Sequence, residues 1–240
     1  MITNSQTGTT LDEIADGIFR VSTPVAALPG GFTFNQYLIA DGAPLLFHTG
    51  PRATFRFVCE AIERVLPVAN LRFIGFSHFE SDECGALNQF LEKAPEAVPV
   101  CGRIGVMVNG DAWDRKARPL ADGEALALGR HRLQWLDAPH LPHAWDCGYL
   151  FEARTGTLLC GDLFSQAGAG KPALTRGDIL ESSEALRARM DYFSHAAGAR
   201  ALLEKLAESR PRTLACMHGS AWEGDGAKLL QELGSLLTQT

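Results

Sequence analysis

Four side chains able to hold a metal ion crowd one short loop: His78, Glu80, Asp82 and Glu83. They follow directly on Leu71 to Phe76, an apolar, aromatic-rich run of the kind that forms a buried strand. After them Ala86, Leu87, Phe90 and Leu91 recur at helical spacing. The loop therefore lies at the carboxyl end of a strand, where open α/β sheets place their sites. Taken alone it is also an ordinary polar connection whose Ser or Asp caps the next helix. Three later places decide between these readings. Leu158 to Asp162 and Leu214 to His218 are apolar runs that each end in a ligand-type residue, and Pro139 to Asp146 is a loop holding His140 and His143. A single strand-end histidine is usually a hydrogen-bonded core residue. The order His-x-Glu-x-Asp, His, Asp, His points instead to a metal site. Carboxylates with a few imidazoles suit iron or manganese, whereas sites of His and Cys alone lean toward zinc or copper. Glu80, Asp82 and Asp162 bring three negative charges that stabilise a higher oxidation state, and Glu83 could bring a fourth.

The elements that must position these residues come in two similar halves. Strands are expected at Gly17 to Val21, Tyr37 to Ala40 and Pro44 to Phe47, with a turn over Pro29 to Gln36 and a hairpin signal at Asp41-Gly42. A helix over 52–66, the strand at Leu71 to Phe76, a helix over 85–94 and a strand at Val98 to Cys101 follow, and then a loop-like stretch around Asn109. The second half has strands at Ala125 to Leu128, Arg132 to Leu136, Gly148 to Glu152 and Thr157 to Cys160, helices over 180–193 and 195–208, a strand at Arg212 to Met217 and a helix over 225–238. That order predicts an α/β (α+β) protein, a four-layer αββα sandwich of two mixed sheets with helices outside. No linker or repeat divides it, so residues 1–240 are expected to form one domain.

Composition bounds the function. The chain has 240 residues, 46% hydrophobic and 21% charged, enough for a sizeable core. A formal net charge of −6 with no Lys/Arg cluster argues against nucleic-acid binding. No apolar run approaches the roughly 18 to 20 residues of a membrane span, and the start lacks the basic and apolar regions of a signal peptide. The 6 cysteines form no C-x-x-C pair, which suggests reduced thiols and a cytoplasmic protein.

The residues above resemble the metallo-β-lactamase superfamily, and within it the diiron domain of flavodiiron proteins. The likeness runs from Gly31 to Ile39 and Leu45 to Gly50, through His78-x-Glu80-x-Asp82, His143 and Asp162, to His218-Gly219. Hydrolases of the superfamily usually carry His where this chain has Glu80. His143, with Asp146 three positions on, matches the flavodiiron pattern; His140, two residues before Pro142, is similar to the hydrolase pattern. The resemblance implies that His78, Glu80 and His143 hold one iron, Asp82 and His218 the other, and that Asp162 bridges them. Manganese or zinc are the other metals such a set could take. The chain departs from the family in three respects. Glu83 stands where His is common, as a ligand or as a hydrogen-bond partner of one. His48 replaces the Asp that often ends the third strand. No flavodoxin-like domain with FMN follows, so electrons would come from a separate donor protein.

These readings imply a non-haem diiron protein that binds dioxygen or another small gas, and that could reduce O2 or NO. A metal-dependent hydrolase of a thioester, lactone or lactam, and a non-enzymatic oxygen or redox sensor with a signalling partner, are the alternatives. Trp145, Trp222, Phe79 and Tyr149 flank the ligand positions, as an apolar wall or as core. A homodimer is expected, from the resemblance and from Phe32, Phe34, Phe55 and Phe57 as an association patch.

Overall fold

Apolar runs that are hydrophobic on both faces, such as Leu158 to Cys160, need cover on two sides, and the chain supplies it by packing two mixed sheets face to face. The computed structural model describes residues 1–26 and 29–237. The first sheet takes its strands in chain order: β1 (Ile2–Asn4), β2 (Thr9–Ala15), β3 (Ile18–Val25), β4 (Phe32–Ile39), β5 (Leu45–Phe47), β6 (Phe73–Gly75), β7 (Val98–Gly102) and β8 (Arg118–Leu120). Pairing is antiparallel from β1 to β5 and parallel from β5 to β8. The second sheet contains β9 (Ala125–Ala127), β10 (Arg132–Asp137), β11 (Gly148–Glu152), β12 (Thr157–Leu159), β13 (Leu174–Thr175), β14 (Thr213–Ala215) and β15 (Ala221–Glu223). Its order is β13-β15-β14-β12-β11-β10-β9, with β12 parallel to β14 and β13 parallel to β15. The helices are α1 (Phe55–Ile62), α2 (Ser81–Cys84), α3 (Leu87–Lys93), α4 (Arg103–Asn109), α5 (Leu180–Met190), α6 (Ala199–Glu208) and α7 (Gly226–Leu237).

Alternation along the strands sorts the core into layers. Leu159 and Ala215 point inward and share a cluster with Leu46, Ile74 and Trp135, to which α1 and α3 add Val58, Ile62 and Phe90. Their neighbours Leu158 and Leu214 face the other way and pack under Leu203, Leu206, Leu230 and Leu233 of α6 and α7. This is the expected αββα arrangement. Several boundaries differ from the sequence-based expectation. The turn expected over Pro29 to Gln36 is strand from Phe32 onward, because β4 pairs with β3 through eight successive partners. The loop around Asn109 is the end of α4, whose Gly105 packs against Cys101 and Asp146. The helix expected over 52–66 ends at Ile62, and that over 195–208 begins at Ala199. Position 238 of the expected last helix lies outside the described residues.

The two sheets meet along the edge where β5, β6, β12 and β14 end. There the Asn35 N–H of β4 donates to the Met217 carbonyl at 2.9 Å, and the Gly148 N–H of β11 to the Ser77 carbonyl at 2.9 Å. Met217 N–H in turn donates to the Gly161 carbonyl at 2.8 Å, tying the ends of β12 and β14. These bonds bring the segments after β6, β12 and β14 to one place.

Candidate metal centre

β6 delivers His78 fully buried; the chain then runs extended through Glu80 and winds into α2. That single turn sends Asp82 toward the rim and Glu83 into the interior, where its side chain is 0% exposed. β12 delivers Asp162 through Gly161, whose φ of +49° and close approach to Ser77 suit a residue without a side chain. β14 delivers His218, and the loop between β10 and β11 delivers His143. Asp146 fixes that loop against the first sheet, its Oδ2 accepting from the Phe79 N–H at 3.2 Å and from Asn109 Nδ2 at 3.3 Å.

The ligand-type atoms converge. His143 Nε2 lies 2.9 Å from His78 Nε2 and 3.1 Å from Glu80 Oε1. Asp162 divides its oxygens: Oδ2 is 3.6 Å from His78 Nε2 and 3.5 Å from His143 Nε2, whereas Oδ1 is 3.2 Å from His218 Nε2. His218 Nε2 also lies 3.6 Å from Asp82 Oδ2. Its Nδ1–H donates to the Thr33 carbonyl at 2.8 Å, which leaves Nε2 with a free lone pair toward the carboxylates. Among the described residues three overlapping groups place their ligand-type atoms within 4.8 Å of one another: His78, Glu80 and His143; His78, Glu83 and Asp162; Asp82, Glu83 and His218. Glu83 belongs to two of the three.

The donor set fits cations. Both oxygens of Glu83, and Oδ1 of Asp162, are buried without a hydrogen-bond partner. Native interiors seldom tolerate that without an ion or water to satisfy the group. Burial pushes the Glu83 carboxyl well above the usual range, and the neighbouring Asp162 adds to the effect. Glu80 behaves oppositely: the His143 and His78 rings beside it hold its carboxyl down at about 2. At Asp162 burial opposes ionisation, yet the His218 ring beside it keeps its carboxyl below the usual range. Four carboxylates face three imidazoles, an excess of negative charge that two divalent or trivalent ions would neutralise.

Above the cluster opens a cavity of about 500 Å3, reached past Glu80, Asp82 and His143. Its apolar wall consists of Phe32, Phe34, Leu186, Met190 and Tyr192. Phe32 stacks on the His218 ring at 4.2 Å. None of the four residues read as wall or core lines this cavity. Phe79 and Trp145 are exposed, Trp222 donates its Nε1–H to the Gly177 carbonyl, and Tyr149 is buried with its hydroxyl on the Leu141 carbonyl. Phe32 and Phe34 line the site, and Phe55 packs on Phe90. None of the four phenylalanines read as an association patch is among the exposed large apolar side chains. Sequence spacing could not reveal this wall, because α5 and β4 lie far from the ligands along the chain. The period-two placement of Phe32 and Phe34 beside Gly31 was its one legible sign. Among the candidate ligands the structure brings together His78, Glu80, Asp82, Glu83, His143, Asp162 and His218. His140 is not among them: it is exposed and lines a separate cavity with Arg187, Phe193 and His195.

Comparison with known proteins agrees with this architecture. Residues 32–219 match the family described as ODP family beta lactamase, and the chain belongs to that family. An anaerobic nitric oxide reductase flavorubredoxin of Aliivibrio salmonicida is 24% identical over 216 residues, covering 84% of this chain and 42% of the relative. A flavo di-iron protein mutant from Thermotoga maritima superposes with a TM-score of 0.85 at 18% identity, over 96% of this chain and 63% of the other. The rubredoxin oxygen:oxidoreductase of Desulfovibrio gigas gives a TM-score of 0.79 at 20% identity, over 94% and 62%. These structures share the metallo-β-lactamase-like fold. The chain spans about a quarter of the length of the first curated relatives it matches, 24% for a diflavin flavoprotein of Thermosynechococcus vestitus. Among the described residues no helix is long and apolar enough to cross a membrane.

Proposed function

We propose that this chain is a non-haem diiron protein that binds dioxygen or a similar diatomic gas and reduces it with electrons from a separate donor protein. The observation that carries the reading is the division of Asp162 between His78 and His143 on one oxygen and His218 on the other. In this reading His78, Glu80 and His143 would hold one iron and Asp82 and His218 the second, with Asp162 serving both and Glu83 supplying a fourth carboxylate from the buried side. Such a pair of irons supplies electrons to a small ligand. The protein's own part is to hold the ligand atoms, to aim His218 through Thr33, and to keep water sparse with Phe32, Phe34, Leu186, Met190 and Tyr192. The names of two relatives, a nitric oxide reductase and an oxygen:oxidoreductase, support a diatomic substrate. The hydrolase alternative keeps its ground in the shared fold but loses its other ground, His140, which faces a different cavity. The proposal includes residues 1–240 as one domain, a cytoplasmic setting, and a homodimer. The homodimer's local support moves to exposed apolar residues of α4, Ile104, Met107 and Val108.

Iron-reconstituted, anaerobically reduced protein is expected to contain two irons per chain and to gain a visible charge-transfer band in air. Two tightly held zincs in protein produced with iron available, with no response to oxygen, would overturn the reading. A pulldown comparing reduced and oxygenated protein distinguishes a sensor from a reductase.

A further inference from the structure

His48 directly follows β5 and is buried, yet it is held at two structural costs. Its φ is +64°, a left-handed conformation that non-glycine residues rarely adopt, and its Nδ1 is buried without a partner. Its other ring nitrogen is fully engaged. The Ser77 backbone N–H points at His48 Nε2 from 3.3 Å, and the Ser77 Oγ lies 3.1 Å from the same atom. Ser77 Oγ is also 3.0 Å from Nδ1 of His78.

The proton positions along this row follow from one fact: a backbone N–H can only donate. His48 Nε2 must therefore be the acceptor, so the proton of that ring is on Nδ1. The one lone pair of the unprotonated His48 Nε2 then serves two donors, facing the Ser77 N–H and the hydrogen of the Ser77 hydroxyl together. The lone pairs of Ser77 Oγ are then free to accept the Nδ1–H of His78. That leaves Nε2 of His78, the atom facing Glu80, Glu83, His143 and Asp162, as a bare lone pair.

Resting on the metal-centre reading above, we infer that His48 and Ser77 are positioning residues, a relay that locks His78 as the Nδ1–H tautomer and aims its Nε2 at a metal ion. The relay ends on a neutral ring. A carboxylate at its far end would orient His78 equally well, but would add a fifth carboxylate to the four of Glu80, Asp82, Glu83 and Asp162, and a buried one. Gly161 completes the arrangement, since a Cβ there would come within 2.9 Å of Ser77 Oγ. The connection that delivers Asp162 thus also leaves room for the hydroxyl that orients His78.

The test uses the full chain with zinc as a diamagnetic probe. Zinc affinity is measured by chelator competition for wild type, Ser77→Ala, His48→Leu, the double variant and His48→Gln, whose amide oxygen can stand near the position of Nε2. Losing an outer partner of a ligand histidine typically weakens metal binding by about 10- to 100-fold. Ser77→Ala and His48→Leu are each expected to fall in that range. The double variant should be no weaker than the poorer single, because both break one chain. His48→Gln should return to within about threefold of wild type. Long-range 1H–15N correlation spectra of zinc-loaded wild type should show His78 protonated at Nδ1. Single variants that bind like wild type, losses that multiply in the double variant, a His48→Gln as weak as His48→Leu, or a His78 protonated at Nε2 would each overturn the relay. Should His48→Leu fail to fold, Ser77→Ala, which removes one hydroxyl, and the spectrum decide alone. Wild type that binds no zinc would overturn the metal-centre reading itself, which is a distinguishable outcome.

Discussion

The Nε2 atoms of His78 and His143 face each other at 2.9 Å, one from the loop after β6 and one from the loop before β11. Two lone pairs cannot sit so close without a proton or a cation to share. His140, three residues from His143, has no such counterpart. His143→Ala is therefore expected to lower metal content from two ions per chain to one, and His140→Ala to leave it at two. Elemental analysis of both variants checks this; an equal loss in each would contradict the assignment of His143.

Glu83 is the member of the cluster that the fold accommodates least well, being wholly buried with both oxygens unpartnered. Replacing buried ionic groups by apolar side chains of similar volume is often neutral or stabilising by about 1–4 kcal/mol. Glu83→Met should accordingly raise the melting temperature of metal-free protein while weakening metal binding. A variant less stable than wild type in chelator, by calorimetry, would show that Glu83 supports the fold rather than the site.

Asp146 links the ligand loop to α4 through the Phe79 N–H and Asn109 Nδ2. Asp146→Ala should cost about 1–3 kcal/mol, the range for leaving such donors unsatisfied. Amide exchange at Phe79 should accelerate. Urea melts and hydrogen-exchange mass spectrometry read the two effects separately, and unchanged exchange would place the rigidity of this loop elsewhere.

Away from the metal centre, Glu152 gives a pH signature. Burial works against its ionisation, but the hydroxyl and amide of Thr155 and the Arg154 amide hold its carboxyl below the usual range. A folded pKa below the unfolded one contributes stability that is present above the unfolded pKa. That stability is lost as pH falls through the folded value. Wild type should exceed Glu152→Gln by about 1.5–3 kcal/mol at pH 7. The gap should close as pH drops below the unfolded glutamate pKa of about 4.3 and on through the folded one. Parallel urea melts from pH 7 to pH 3 test the sign.

The candidate ligands were legible because two apolar runs stop on Asp162 and His218 and a third leads into the loop of His78, Glu80, Asp82 and Glu83. The sandwich was legible too, since runs such as Leu158 to Cys160 carry no polar face. What escaped was whatever tertiary packing decided. Arg103 to Asn109 contains Gly105, Val106 and Val108, poor helix formers, and becomes α4 where Gly105 seats against Asp146. Phe32 to Gln36 follows Pro29, Gly30 and Gly31 and reads as a turn until β3 is there to pair with it. The relay through Ser77 escaped for a different reason. His48 and Ser77 are neighbours only because β5 and β6 run parallel, with Phe47 opposite Gly75.

The division of the ligands between the sheets fixes when the centre can exist during folding. His78, Glu80, Asp82 and Glu83 leave the first sheet; His143, Asp162 and His218 leave the second. Between His78 and His218 the chain must lay down all of β7 to β14 before the two sides can meet. A pair of cysteines two residues apart can seize a metal while the chain is still unfolded and grow a domain around it. Here the local cluster of His78, Glu80, Asp82 and Glu83 lacks His143, Asp162 and His218 until the second sheet is in place, and contacts so distant along the chain form late. On the proposed reading, metal uptake would be the closing event of assembly, a clasp fastened across two finished halves rather than a seed for either.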